Sequence, residues 1–248
     1  MQIPPILVRL LGAVPKTMMG MGPNDDQLSI DPKRVEIGSG SLPEWKWTGA
    51  EIPKLVHELN ESCLAALQKL AQGDIKRTPA GGIFECVNLQ RQLWLELGEL
   101  ALRRAAGAPC LLVDVHFQSE EWWRWAASHR AKPFKGMASA TFPPKAAREL
   151  MTETLVLAWH TARSDRPTAT LLLGIAPAVA GWIASLGSRD VRRIAAEHCR
   201  ELRPRFEGNL KFWQDLLLAA CSGDAESLSH TYCEGIQLLA TEVLPGVR

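Results

Sequence analysis

Apolar residues recur at helical spacing over most of the chain beyond residue 50. Between residues 55 and 70 they recur every three or four positions, and Gly73 follows as a stop signal. A similar pattern runs from about residue 86 to 106, where Glu99 and Arg103 are spaced to form an ion pair on the helix surface. Both segments are therefore predicted to be amphipathic helices.

A different pattern follows in CLLVDVHF, residues 110–117, which combines β-branched and aromatic residues with partial alternation. This composition predicts a β-strand. Ser119 is a suitable N-cap for a next helix, and the two glutamates that follow it suit the positive end of that helix. The prolines at positions 143 and 144 mark the best candidate for a domain boundary.

Beyond these prolines every segment has a helical pattern, and five helices are predicted. The first is KAARELMTETLVLAWHTAR, which SDRP breaks, and the last two are NLKFWQDLLLAACSG and DAESLSHTYCEGIQLLATEVL. The second lies at residues 176–185, and Gly187 supplies the turn after it. Ser188 is the predicted cap of the third, which is expected to bury Val191, Ile194 and Ala195.

The predicted fold class is mainly α. A five-helix domain occupies residues 145–248, and a smaller mixed α+β domain with a short sheet occupies residues 49–144. Residues 1–48 contain frequent Gly and Pro and no sustained period, so they are predicted to be an irregular segment.

Composition narrows the choice of class. The chain has 248 residues, of which 46% are hydrophobic and 22% charged, as in an average soluble protein. Its net charge of +1 gives no general attraction to nucleic acid or membranes, so any basic surface must be local. We expect no membrane span and no signal peptide, and the six scattered cysteines are typical of a reduced cytoplasmic protein.

A local basic region does occur between residues 189 and 205, which contain six arginines and only three acidic residues. The arginines are Arg189, Arg192, Arg193, Arg200, Arg203 and Arg205. Arginines clustered in this way can neutralise the phosphates of DNA, and the two short helices around Gly187 have the order of a helix-turn-helix. The alternative is a solvated helix face with no ligand.

From about residue 149 to 244 the chain resembles the FlhD family, subunits of the bacterial flagellar master transcriptional activator. The similarity lies in the order and spacing of ordinary residues after a leading amphipathic helix. These residues are Leu173-Gly174-Ile175, Ala180, Ile183, Leu186, Ile194-Ala195, Arg205-Phe206, Gly235-Ile236 and Leu238.

The resemblance implies a non-enzymatic activator subunit without a cofactor. It would bind promoter DNA in a hetero-oligomer with an FlhC-like partner, recruit RNA polymerase through that complex and self-associate through its helical domain. Similar subunits activate conjugative and integrative mobile elements. However, the family has a His-Thr pair in the last helix that is linked with DNA binding, and this chain has Cys233 and Glu234 there. The second hypothesis is therefore an interaction-only scaffold or antagonist.

Two further clusters carry possible chemistry. Asp114 and His116 would share one face of the predicted strand, which suggests a metal site or an acid–base pair in a metal-dependent enzyme. His230 and Cys233 are three residues apart on the last helix, but zinc would need four such ligands. A polar strand face and a solvated helix are the simpler interpretations, and we predict neither a metal nor a catalytic residue.

The segment EEWWRWAASHR contains three tryptophans within four positions. On one helix these point in different directions, so at least one is expected at an edge or interface. Trp122, Trp123 and Arg124 are the candidates for contact with a partner subunit, and packing in the core is the alternative.

Overall fold

The computed structural model describes residues 51–73, 85–128 and 141–243, all of which belong to one unit that spans residues 46–248. Within these ranges the chain is 78% helical, with eleven α-helices and little strand, which confirms the mainly α class. The irregular segment predicted for residues 1–48 lies outside the described residues.

The first described helix, α1, spans Ile52–Gln72 and ends at Gly73, as its periodicity predicted. Its apolar face is buried, and one polar residue lies within that face. Asn60 is fully buried, and its Nδ2 donates to the carbonyl oxygens of Ala106, Ala108 and Cys110 at 3.3, 3.3 and 2.9 Å. Its Oδ1 accepts from the backbone N–H of Leu112 at 2.8 Å. Asn60 therefore holds this whole stretch of chain against α1.

The single helix predicted for residues 86–106 is wrong, because the segment forms three shorter helices. These are α2 (Glu85–Leu89), α3 (Arg91–Glu96) and α4 (Glu99–Ala106). The Gln68 amide donates to the carbonyl oxygens of Trp94 and Leu97 at 3.1 and 2.6 Å, so groups left unpaired at the end of α3 find their partner on α1. The ion pair between Glu99 and Arg103 is present on α4.

The predicted strand is almost entirely absent. Only β1 (Val113–Asp114) forms, and it pairs antiparallel with β2 (Arg203–Pro204). The Asp114 carboxylate accepts from the backbone N–H groups of His116 and Phe117, both at 3.1 Å, and His116 has a positive φ of 49°. The chain therefore turns where the strand was expected to continue.

The helix predicted after Ser119 is α5 (Glu120–Ser128), and the Ser119 hydroxyl caps it by accepting from the N–H of Trp122 at 3.2 Å. Helix α6 spans Pro144–Ser164. The remaining elements are α7 (Arg166–Leu173), α8 (Pro177–Ser185), α9 (Ser188–Glu197), a 3-10 turn (Cys199–Glu201), α10 (Leu210–Ser222) and α11 (Ala225–Val243).

The described residues after Pro143 thus contain six α-helices instead of the five predicted. The additional helix is α7, which begins immediately after the break. Asp165 caps it by accepting from the N–H and the hydroxyl of Thr168, and Gly174 ends it in the left-handed conformation. The break at SDRP therefore coincides with the start of a further helix.

Elements from both sides of the double proline pack together. Helix α1 contacts α6, α4 contacts α10, and β1 pairs with β2. The Trp94 and Trp213 rings lie 6.1 Å apart, and the Arg104 guanidinium donates to the carbonyl oxygen of Ala220 at 3.3 Å. The residues predicted as separate domains, 49–144 and 145–248, share these contacts.

No single helix within the described ranges combines the length and the apolar composition needed to cross a bilayer. Helices α7 and α8 reach that composition only together, and they are bent by 119° relative to each other.

Candidate nucleic-acid interface

Helices α8 and α9 are joined by the two-residue turn Leu186–Gly187. The indole N–H of Trp159 on α6 donates to the Leu186 carbonyl oxygen at 2.9 Å and so fixes this turn. Gly187 occupies the cap position of α9, and no side chain caps the helix, so the predicted capping role of Ser188 is wrong. Asp190 supplies a negative charge in the first turn instead.

One face of α9 is buried and the opposite face is open. Val191, Ile194 and Ala195 are buried, and α9 packs against α6. Arg189 and Arg192, one turn apart, are exposed on the other side. Helix α9 is therefore amphipathic, with an apolar face packed on α6 and arginine side chains exposed on the opposite face.

Three of the six predicted DNA-binding arginines are exposed, and we call them the outer arginines: Arg189, Arg192 and Arg200. Arg200 lies on the 3-10 turn that follows α9. None of the three forms an ion pair with another residue in the described ranges. Within these ranges their one side-chain hydrogen bond is from Arg192 Nε to the Ser188 carbonyl oxygen at 3.3 Å. Their charge is available to a ligand.

Arg193 is different, because its side chain is directed at a neighbouring helix. Its guanidinium donates to the carbonyl oxygens of Ala126 and Ala127, at 3.3 and 2.9 Å, in the last turn of α5. It also lies 3.3 Å from the Glu197 carboxylate and 3.8 Å from that of Asp190. With a side chain that is only 19% exposed, Arg193 has little surface left for an external ligand.

Arg203 and Arg205, on and after β2, belong to an internal network. Arg203 lies 3.2 Å from the Glu207 carboxylate and 3.7 Å from that of Asp114. Arg205 is buried, and it donates to the Leu173 carbonyl oxygen at 2.9 Å. It also pairs with Asp114 at 3.5 Å and with Glu242 at 3.4 Å. Intramolecular carboxylates therefore neutralise both guanidinium groups.

Two of the three tryptophans of α5 occupy the core, and the third, Trp125, is half-buried. Trp122 and Trp123 are 0% and 1% exposed. The Trp122 indole N–H donates to the Glu201 carboxylate, and the Trp123 indole N–H donates to the His116 carbonyl oxygen at 3.1 Å. Packing in the core, the alternative left open for these two residues, accounts for both rings. Arg124 is exposed and pairs with Glu120, so it alone of the three predicted contact residues faces outward.

Asp114 and His116 do not line one strand face. The Asp114 carboxylate is occupied by the turn and by two arginines, and the His116 ring stacks on Trp122 at 4.9 Å with its Nε2 3.8 Å from Glu201. Burial, and then the nearby Arg203 charge, lowers the pKa of His116. His230 and Cys233 are exposed on α11. Across the described residues no three His, Cys, Asp or Glu side chains are grouped to hold a metal ion.

Sequence reasoning missed Glu201 as the centre of a buried polar cluster. Its carboxylate accepts from Trp122 and lies 3.3 Å from His198 Nδ1. Trp122 is 79 positions away in the chain, so no local pattern signals this contact. The cluster joins the start of α5 to the 3-10 turn that carries Arg200.

No protein-family model, curated protein or solved structure matches this chain.

Proposed function

We propose that this chain is a transcriptional activator subunit that contacts promoter DNA through the outer arginines. It acts in a hetero-oligomer with an FlhC-like partner, reaches RNA polymerase only through that complex and self-associates through its helical region. Conjugative or integrative mobile elements are the setting that the resemblance suggests. The cytoplasm is the proposed location.

One observation carries the DNA-binding part of this proposal. Arg189, Arg192 and Arg200 project from α9 and the turn after it, and no described carboxylate neutralises them. The other arginines of the same cluster, Arg193, Arg203 and Arg205, form contacts within the chain. The exposed positive charge is therefore concentrated at the three outer arginines. Free guanidinium groups on one helix and its adjoining turn suit the phosphate backbone, where each contact releases a counterion.

The burial pattern supports the FlhD-like part of the proposal. Most positions of the register that carries the resemblance are buried, among them Gly174, Ile183, Ile194, Phe206 and Gly235. Leu186 and Leu238 are half-buried, and Ile236 is exposed. A register of spaced core positions is what a shared helical fold would preserve, because core packing constrains volume and spacing. The described helices α6 to α11 are therefore proposed to be an FlhD-like arrangement.

The direct test compares two triple variants on one duplex DNA of generic sequence, in a salt titration. R189A/R192A/R200A removes the outer arginines, whereas K145A/R148A/R166A removes three exposed positive charges from α6 and α7. We expect the first variant to reduce the slope of log K against log salt concentration by about three. The control variant should change this slope little. Equal loss in both variants would show binding by net charge alone.

The interaction-only hypothesis is favoured by a different observation on α11. Cys233 is exposed, and Glu234 follows it at the position where the family has a residue pair linked with DNA binding. Glu234 lies close enough to Lys211 on α10 to raise the pKa of that amine, after the larger contribution of Asp215. This part of α11 therefore presents an acidic group instead of a phosphate-binding one. Salt-dependent retention on heparin, alone and with the partner, separates the two hypotheses.

A metal-dependent enzyme centred on Asp114 and His116 has the least support. Both side chains are engaged with neighbouring residues of the same cluster, as described above. Metal analysis of the purified protein tests it, since a stoichiometric ion would revive this hypothesis.

A further inference from the structure

We propose that Arg193 is a positioning residue, which fixes the orientation of α9 by capping the C-terminus of α5, and that it makes no contact with DNA itself. The inference rests on the proposed function, because it assigns a different task to one of the six clustered arginines. It applies to the same site, since Arg192 and Arg193 are adjacent on α9.

The cap is a contact between two helices. The last carbonyl groups of an α-helix lack a partner within the helix and carry the negative end of its dipole. In α5 the Ala126 carbonyl oxygen accepts from Nη1 of Arg193 and the Ala127 carbonyl oxygen accepts from Nη2. Both terminal nitrogens of the planar guanidinium therefore donate to this helix end. The flanking carboxylates of Asp190 and Glu197 hold the fork in this direction.

Helix α5 is a fixed platform for this contact. Its N-terminal half is anchored by the two buried tryptophans, through the Glu201 carboxylate and the His116 carbonyl oxygen. Because α5 is anchored in this way, it would not move together with α9 if α9 shifted.

The geometry of α9 explains why a directional contact matters. Its apolar contacts through Val191, Ile194 and Ala195 hold the helix on α6, but apolar packing is not directional. Successive residues of an α-helix are about 100° apart, so even a modest rotation of α9 would redirect Arg189 and Arg192. The paired hydrogen bonds of Arg193 limit that rotation.

The experiment compares R193A with R192A, both in the full chain, by salt titration on the duplex and by hydrogen exchange. We expect R193A to lower DNA affinity by about five- to tenfold with an unchanged salt slope, because no phosphate contact is lost. R192A is expected to reduce the slope by about one. R193K, which keeps the charge but can serve fewer carbonyl groups in fixed geometry, should recover part of the loss.

Hydrogen exchange keeps this test separate from the proposed function. R193A should speed exchange in α9 and in the last turn of α5 while α10 and α11 are unchanged, and R192A should change none of them. If the wild-type chain binds no duplex, the proposed function fails, but this exchange pattern still supports the positioning role. Unchanged exchange in R193A, or a salt slope reduced by about one, would overturn it.

Discussion

The guanidinium of Arg205 occupies the space in which Gly174 would carry a side chain. A Cβ placed on Gly174 would lie 1.8 Å from Arg205 Nη1 and 2.3 Å from Leu239 Cδ1. Gly174 also has a φ of 63°, which ends α7 in the left-handed conformation. Because the same guanidinium donates to the Leu173 carbonyl oxygen, Arg205 caps α7 from a distant segment.

We therefore expect Gly174→Ala to destabilise the protein by about 2–4 kcal/mol. The methyl group would displace Arg205 from the helix end and from Asp114, and the positive φ adds strain. Urea unfolding measures the change. Gly181→Ala on α8 is the matched control, because its new Cβ meets nothing within 4 Å and alanine favours a helix. An equally stable Gly174→Ala variant would contradict this account of Arg205.

Asn60 is expected to be the most sensitive polar residue of α1. Asn60→Ala leaves the backbone groups of residues 106, 108, 110 and 112 without their buried partner, so we expect a loss of about 3 kcal/mol in the free energy of unfolding. Ser62→Ala, on the exposed side of the same helix, should change it by less than about 0.5 kcal/mol. Similar values for the two variants would show that the amide does not hold the following segment.

Glu153 on α6 should make stability depend on pH near neutrality. Burial, followed by the charges of Glu149 and Glu58, raises its pKa from 4.5 to about 7. The folded state therefore binds this proton more tightly than the unfolded chain does. Its stabilising contribution is complete below pH 4.5 and is lost as the pH rises through about 7.

Glu153→Gln mimics the protonated form, so we expect it to be more stable than the wild type by about 2 kcal/mol at pH 8. Near pH 4.5 the free energies of unfolding of the two proteins should differ little. Urea titrations at both pH values measure the effect, and Glu121→Gln provides the same chemical change on the exposed face of α5. A pH-independent difference between wild type and Glu153→Gln would exclude a raised pKa as the cause.

The predicted domain boundary can be tested with a fragment that starts at residue 141. Trp213 packs against Trp94 and Arg205 pairs with Asp114, so the core of the C-terminal part includes residues from the N-terminal part. We expect the fragment to lack a cooperative thermal transition, whereas a chain that starts at residue 46 should retain one. Cooperative unfolding of the shorter fragment would instead support an independent domain at residues 145–248.

Periodicity predicted the long helices best. Helices α1, α6, α10 and α11 begin and end close to the expected residues, because each buries a regular apolar stripe between clear stop signals. The prediction of a strand at residues 110–117 was wrong, because contacts from outside the local pattern determine this segment. Most of its side chains are apolar, but Asn60 and the turn at Asp114 bind its backbone groups. Alternation along the sequence does not encode such contacts.

The site shows the same limit. The sequence revealed the excess of arginines but not which of them are free, because several of their partners are remote in the chain. Asp114 is 91 positions from Arg205, and Ala127 is 66 positions from Arg193. Only the folded arrangement separates the outer arginines from those that hold the structure together.

The most direct test of the central claim is a crosslinking immunoprecipitation of the tagged chain from its native cells. DNA and proteins are both identified, for the wild type and for R189A/R192A/R200A. We predict sharp enrichment upstream of promoters together with an FlhC-like protein, and in the variant the DNA should be lost while the partner is retained. A partner without enriched DNA in the wild type would contradict DNA binding and leave the interaction-only subunit.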